Sequence, residues 1–305
     1  MMSHEVLICM STYNGADYIE KQISSILEQS YSNFTLFIRD DGSTDDIFIN
    51  ELKRYKRLDS RIELDLAMNV GVTKSFFSIL KSCSGKYKFV FLCDQDDYWY
   101  PDRLKNTIEY ITSNNQSELP FLSLCKFEYV DENLKFKSLV PSYKHLSFRN
   151  ALVQNLATGC SLCLNNSALL KIKEYFPRNA VIHDWWIYLV ISAFGVVEQE
   201  PNISIKYRQH SDNTLGGTTS LLVKFRRRIG NKLYKIIYQV YEQNAEFLEV
   251  FGEELDNDKR QLLESFIARK SLYSKIQFIL KFKNVKRENF FDNIILRLLI
   301  LIMKR

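Results

Sequence analysis

Glycine and proline are scarce in this 305-residue chain, with ten and five residues. So little of either excludes fibrous repeats and long disordered segments. No self-similarity with a period of about 20–50 residues is present, which excludes solenoids and propellers. No apolar run reaches the ~20 residues that a bilayer span requires. The nearest, Phe290–Met303, is broken by Asp292, Asn293 and Arg297. The start, MMSHEVLICM, has no basic stretch and no small-residue cleavage site, so it does not read as a secretory signal. The expected location is the cytoplasm, with the six cysteines reduced. Cys160 and Cys163 form a C-x-x-C without a second pair. Their run reads as a strand, where residues three apart face opposite sides, so both are expected in the core rather than on a shared metal.

What is present suits a chain that buries a core: 46% hydrophobic and 25% charged residues. The net charge of +5 is unevenly spread. Residues 217–305 hold 18 Lys and Arg against 10 Asp and Glu, a net of +8, and residues 1–216 hold 23 against 26, a net of −3. A basic C-terminal surface suits a membrane or a nucleic acid. No nucleic-acid recognition motif accompanies it, so nucleic acid is not expected as a partner. The double glycine Gly216-Gly217 coincides with the shift in composition. It sets the expected division into residues 1–216 and a helical tail, 217–305.

The first third alternates between two periodicities. Strands are predicted over 5–10, 34–39, 62–66 and 87–93, and helices over 16–29, 72–83 and 101–113, the last opened by Pro101. Strands separated by helices of this length build a parallel α/β sheet. The middle adds strands over 121–130, 161–164 and 203–207 and helices over 167–175 and 184–193. Beyond 220, helices are predicted, including 261–282 and 289–303.

Three apolar strands run into polar strings: Ser11-Thr12-Tyr13-Asn14-Gly15, Asp40-Asp41-Gly42-Ser43-Thr44-Asp45 and Asp94-Gln95-Asp96-Asp97. In an open α/β sheet, ligands bind beyond the carboxyl ends of the strands. Carboxylates gathered there repel one another unless a cation or hydrogen-bond donors compensate them. An all-oxygen set suits Mg²⁺ or Mn²⁺, and Mg²⁺ is commonly shared with substrate phosphates. The plainer reading makes these strings turns and helix caps. For Asp40–Asp45 the two readings stand level, and for Asp94–Asp97 the functional one leads.

Taken in order, CMSTYNGADYIEKQISSILEQSYSNFTLFIRDDGSTDD, Asn69-Val70-Gly71, FLCDQDDYWYPDRL, ATGCSLCLN, HDWW and YRQHSDN resemble the family 2 glycosyltransferases. The last three of these strings look like the bacterial rhamnosyltransferase-like branch, which builds O-antigens and capsules. The resemblance spans about Glu5–Asn213. It implies a GT-A fold: a Rossmann-like mixed sheet, mostly parallel and flanked by helices, here with a C-terminal helical extension.

By that resemblance Thr12, Tyr13 and Asn14 line the nucleotide-base pocket, and Asp41 accepts from the pyrimidine ring. Asn69 and Gly71 lie beside the nucleotide. Asp94 faces the ribose, and Asp96 binds a divalent cation, Mn²⁺ or Mg²⁺, on the diphosphate. Asp97 assists it or caps the next helix. Trp99 stacks on a sugar or anchors its loop, and Thr158 and Gly159 line the donor-sugar pocket. Asp184 is the catalytic base, an N-cap, or both. His183 and Trp185 belong to the same pocket, with Trp185 or Trp186 as acceptor wall or core. His210 binds the metal or diphosphate or is structural, Arg208 pairs with phosphate, and Asn213 helps to hold this loop.

The implied reaction is a single inverting displacement. Asp184 takes a proton from an acceptor hydroxyl, and that oxygen attacks the donor's anomeric carbon opposite the leaving diphosphate. The implied donor is dTDP-L-rhamnose or a UDP-hexose, and the implied acceptor a lipid-linked saccharide. Lys224 and Arg226–Arg228, then Lys281, Lys283, Lys286 and Arg287 before Phe290–Met303, with Lys304-Arg305 after it, have the pattern of an interfacial helix beside anionic lipid. The alternative is a bundle, packed on the catalytic domain or pairing two copies. Two other functions are set lower. A nucleotidyltransferase making nucleotide sugars wants a glycine-rich basic loop where Ser11–Gly15 stands. A non-catalytic carbohydrate binder does not need the intact acidic strings.

Overall fold

The computed structural model describes residues 5–83, 85–114, 119–210, 231–268 and 271–302. The expectations resting on Asn213, Gly216-Gly217, the 224–228 basic cluster and Lys304-Arg305 lie outside these residues. The chain forms two compact units: residues 1–142, 157–176 and 195–216 make the first, and residues 143–156, 177–194 and 217–305 the second. The second unit thus takes two segments from the middle of the chain besides the basic tail. His183, Asp184 and Trp185 belong to it.

The first unit opens with β1 (Val6–Thr12), α1 (Ala16–Leu27), β2 (Phe34–Asp40), α2 (Asp46–Leu58), β3 (Ile62–Leu66), α3 (Val72–Ser82) and β4 (Phe89–Cys93). Strands β3, β2, β1 and β4 lie side by side and parallel. The apolar runs of β1, β2 and β4 reflect burial on both faces, and Val6, Ile8, Cys9, Met10, Leu36, Ile38 and Val90 are all fully enclosed, whereas the edge strand β3 is largely exposed. The chain continues through β5 (Tyr98–Trp99), α4 (Arg103–Asn114), β6 (Phe121–Val130) and β7 (Phe136–Leu139), and in the second unit through the short α5 (Phe148–Ala151). Back in the first unit come β8 (Leu162–Asn165), α6 (Asn166–Lys173) and, after a helix of the second unit over 183–194, β9 (Val196–Arg208). The antiparallel strand β8 joins β4 to β6, β6 pairs parallel with β9, and β5 closes the order antiparallel to β9. The sheet is therefore mixed, with its parallel half at the amino-terminal end of the chain.

Register places the loops. Thr12 stands opposite Asp40, and Met10 opposite Cys93, so three neighbouring parallel strands release their chains along one rim. Helix α2 is an element that the sequence reading does not contain. Its buried residues, Phe48, Leu52 and Tyr55, are spaced four and three apart inside a charged segment. Asp45 caps its start by accepting from Ile47 N, and Lys56 and Arg57 meet the negative end of its dipole. Strand β9 starts at Val196 rather than 203, because pairing with β6 carries the polar stretch 198–202 along despite its register shifts.

In the second unit α7 (His183–Phe194) is enclosed on nearly every side. The indole of Trp186 packs on Phe247 and Phe251 at centroid distances of 5.8 and 6.4 Å. Both aromatics sit on α8 (Asn231–Phe251). Next come α9 (Asn257–Ala268), α10 (Leu272–Lys281) and α11 (Phe290–Ile302). The single helix predicted over 261–282 is two helices. Ser271 and Ser274 form a reciprocal capping box that starts α10 afresh.

Two predictions follow from this packing. Asn165 accepts from the backbone N–H groups of Phe121 and Ala168 and donates to Leu119 O at 2.8–2.9 Å, tying β8, the start of β6 and the start of α6 together. Asn165→Ala should lower the unfolding free energy by about 2–4 kcal/mol in urea titration. His183 is buried, and burial lowers its pKa from 6.5 to about 3. The unfolded chain therefore binds a proton that the folded one refuses between these values. Stability falls as pH drops below 6.5, by up to about 1.4 kcal/mol per unit. His183→Gln should have a shallower slope over this range than the unaltered chain, and equal slopes would reject the assignment.

Candidate active site

The rim is built from carboxylates that are each given their own donors. Asp40 accepts from Thr12 Oγ1 at 3.0 Å, Ser43 N at 2.8 Å and Ser43 Oγ at 2.5 Å. These bonds fold the Asp-Gly-Ser string back on itself. Gly42 has φ +77°, and a Cβ there would sit 2.6 Å from Asn69 N. Asp41 is buried beside Arg39, whose guanidinium approaches Oδ1 to 2.5 Å. Oδ1 also accepts from Val70 N at 3.0 Å, and Oδ2 from Gly71 N at 2.8 Å. Asp41 thereby brings the Asn69-Val70-Gly71 segment to the end of β2. A carboxylate oxygen accepts two hydrogen bonds, so Oδ2 keeps capacity for a further donor. Gly71 takes φ +84° and ψ 152°, a conformation essentially reserved for glycine.

Tyr13, Asn14 and Asn69 are exposed on this rim. Asn14 takes φ 45° and bridges to the second loop, with its N–H on Ser43 Oγ and its Oδ1 accepting from Thr44 N. Gln95 ties the first loop to the third: its Oε1 accepts from Tyr13 N at 2.9 Å and its Nε2 donates to Tyr13 O at 3.1 Å. A Cβ at Gly15 would meet the Gln95 amide at 2.3 Å, so a larger residue there would displace the Gln95 side chain from this position.

The third loop holds Asp94 and Asp96 half-buried and Asp97 fully buried. Carboxylate oxygens of Asp94 and Asp97 and the Cys160 thiol lie within 4.8 Å of one another. Burial, then the charges of Asp96 and Asp94, push the Asp97 carboxyl well above its ordinary range. Its Oδ1 accepts from Arg208 N at 3.0 Å. Burial likewise raises the Cys160 thiol. A neutral thiol is a poor partner for a hard cation, so the groups here whose chemistry would fit Mn²⁺ or Mg²⁺ are the half-buried carboxylates of Asp94 and Asp96 and an imidazole. The imidazole is His210, whose Nε2 stands 2.7 Å from Asp96 Oδ2. The two residues expected at the metal thus meet, though 114 positions apart.

Several expected side chains do other work. Arg208 does not reach outward for a phosphate. It is buried, with Nε on Asp96 O at 2.7 Å, a further bond to Glu132 O, and its guanidinium 4.7 Å from the centre of the Tyr18 ring. Trp99 has no face open to a sugar. It is fully enclosed under Arg103, whose guanidinium lies 3.5 Å from its ring centre. Thr158 and Gly159 begin a short 3-10 turn, in which Thr158 O accepts from Ser161 N and Oγ. Arg103 anchors this turn through Cys160 O at 2.5 Å.

In the second unit Asp184 is buried in the first turn of α7, and Oδ1 accepts from Asn155 Nδ2 at 2.8 Å. Its neighbours are interior residues rather than pocket walls. His183 is enclosed and neutral, and Trp185 packs with Ile182 and Val240 while donating Nε1–H to Ala151 O at 2.7 Å. Gln95, Tyr18, Arg39 and Asn155 were not anticipated. Of these only Gln95, inside the acidic string, had a local signal.

The pattern of the family described as "Glycosyl transferase family 2" matches residues 7–164, just over half of the chain. A dTDP-rhamnosyl transferase, RfbG of Shigella flexneri, is 28% identical over 241 residues, covering 74% of this chain and 81% of its own. The UDP-Glc:alpha-D-GlcNAc-diphosphoundecaprenol beta-1,3-glucosyltransferase WfaP of Escherichia coli is 26% identical over 226 residues, covering 72% and 83%. Among solved structures, S. aureus TarS 1-349 in complex with UDP-GlcNAc superposes with a TM-score of 0.61 at 15% identity, over 92% of this chain and 80% of that one. That likeness is one of fold, the GT-A architecture of a mixed sheet with helices on its faces. With the matched pattern running from β1 to β8 through all three rim loops, the chain belongs to glycosyl transferase family 2.

Proposed function

We propose that this glycosyltransferase moves a sugar from a pyrimidine nucleoside-diphosphate donor, dTDP-L-rhamnose or a UDP-hexose, to a hydroxyl of a lipid-linked saccharide. The observation that carries the donor half is the rim itself. Three loops from adjacent parallel strands bring an exposed Tyr13, the remaining acceptor capacity of Asp41 and the Asp94–Asp97 carboxylates to one edge of the sheet. Asp41 Oδ2 suits the ring N–H of uracil or thymine. Asp94 and Asp96, with His210, would hold the divalent cation, which stabilises negative charge on the departing diphosphate. The dTDP-rhamnose reading draws on the likeness to RfbG, and the lipid-diphosphate acceptor on the likeness to WfaP.

Asp184 serves as the base in this proposal. Asn155 donates to one carboxylate oxygen of Asp184 and so orients the group that would take the acceptor's proton. Base assistance of this kind is worth about 10²–10⁴-fold in rate. The reaction inverts the anomeric centre and needs no covalent intermediate.

The acceptor's lipid suggests a place at the inner face of the cytoplasmic membrane. No helix among the described residues is long and apolar enough to cross a bilayer. Helix α10 instead exposes Leu272, Tyr273, Ile276 and Leu280, and α11 exposes Phe290, Phe291, Ile294, Leu298 and Ile302. Every exposed charged side chain over 271–302 is basic: Lys281, Lys283 and Arg297. Exposed apolar rows with only basic charges suit an anionic lipid surface.

Two experiments test these assignments. Calorimetry with UDP, dTDP, GDP and ADP, in Mn²⁺ and then in EDTA, should give metal-dependent binding of UDP or dTDP only. Asp96→Ala should abolish that dependence, while Asp184→Asn should bind the nucleotide normally and lose transfer by at least about 10²-fold. Normal transfer by Asp184→Asn removes the base assignment. In flotation with phosphatidylcholine vesicles with and without phosphatidylglycerol, the protein should bind only the anionic set. Leu298→Ser with Ile302→Ser should weaken that binding several-fold. Unchanged flotation, or a change in oligomeric state instead, would assign the face to a second copy.

A further inference from the structure

We infer that Tyr18 is a positioning residue for the cation site, acting through His210. The inference rests on the proposal that Asp96 and His210 hold a divalent cation, and it concerns a side chain outside that donor set. Tyr18 stands in the first turn of α1, three residues past the glycine that packs on Gln95. Its ring is stacked on the His210 imidazole, with centroids 4.8 Å apart and planes inclined at 28°. The same ring carries the Arg208 guanidinium at 4.7 Å. Both partners come from the end of β9 and both grip the acidic loop: Arg208 through Asp97 Oδ1 and Asp96 O, His210 through Asp96 Oδ2.

The two partners depend on Tyr18 to different degrees. Arg208 is pinned by its backbone N–H, by Nε and by a bond to Glu132 O, besides the ring. It keeps its place when the ring is removed. His210 lies two residues beyond the last paired position of its strand, and the Tyr18 face stacks on its ring plane. Stacking on that face fixes the plane of the imidazole. The fixed plane aims Nε2 at the carboxylate oxygen that the cation would share. A side chain without a flat face at position 18 removes that stacking restraint, and a cation would then meet Asp96 beside a less firmly oriented second donor. Phenylalanine preserves the face and leucine or methionine does not, whatever the phenol hydroxyl does.

The test reads metal affinity rather than turnover. Mn²⁺ binding to the full chain is measured by electron paramagnetic resonance with saturating UDP, for the unaltered protein, Tyr18→Phe, Tyr18→Leu and Tyr18→Met, with thermal unfolding of each recorded in parallel. Tyr18→Leu and Tyr18→Met should bind Mn²⁺ about tenfold more weakly, the scale of one lost stacking contact, and Tyr18→Phe should match the unaltered chain. His210→Ala should weaken Mn²⁺ comparably, and adding Tyr18→Leu to it should cause no further loss, because the two act as one unit. Independent, multiplying losses, or unchanged affinity in both Tyr18→Leu and Tyr18→Met, would overturn the inference while leaving the cation site standing. Absence of Mn²⁺ binding by the unaltered chain would overturn the cation site and the inference with it.

Discussion

Five carboxylates, those of Asp40, Asp41, Asp94, Asp96 and Asp97, gather where the parallel strands β2 and β4 end on either side of β1, and their mutual repulsion is the constraint around which the first unit is organised. Each is compensated differently. Asp40 is satisfied by its own loop and by Thr12, Asp41 by Arg39 and the Asn69–Gly71 backbone, and Asp97 by the backbone of Arg208 with its carboxyl pushed toward the neutral form. Asp94 and Asp96 stay half-buried, with Asp96 Oδ2 beside His210 Nε2 at 2.7 Å, and they are the carboxylates that the proposed function turns toward the cation.

Compensation also explains the unusual backbone of the rim. Gly42 and Gly71 both take positive φ; a Cβ at Gly42 would sit 2.6 Å from Asn69 N, and Gly71 donates its N–H to Asp41 Oδ2. Arg208 is buried for the same purpose. It spends its donors on the carbonyls of the acidic loop and of Glu132, which holds Asp96 in place from behind. The second unit follows a different rule. Its core is aromatic, with Trp186, Phe247 and Phe251 in mutual contact, and its polar side chains serve loops: Glu246 takes the N–H groups of Arg178 and Asn179, and Glu288 those of Lys144 and His145.

Strands β1, β2 and β4 were legible in the chain because they are buried on both faces. Runs such as Val6–Met10 and Phe89–Cys93 leave no other periodicity to follow, and the strand predicted over 62–66 and that over 121–130 match residue for residue. Helix α2 escaped because only Phe48, Leu52 and Tyr55 touch the core. The polar start of β9 escaped because pairing with β6, not apolar pattern, makes it a strand. The break between α9 and α10 rests on a capping box between two serines that propensity alone does not reveal.

What the sequence determined by itself was the identity of the rim: which strands end in carboxylates, and in what order, since hydrophobic period and local strings are properties of neighbouring residues. The partnerships were decided only in three dimensions. That His210 meets Asp96, that Tyr18 stacks on His210, that Cys160 joins the acidic cluster and that Trp99 and Trp185 turn inward all depend on contacts between residues distant in the chain. The physical reason is that a side chain's chemistry is local, whereas its burial and its partners are set by the packing of whole elements. An arginine reads alike whether it will bind a phosphate or, as Arg208 does, brace the loop beside it.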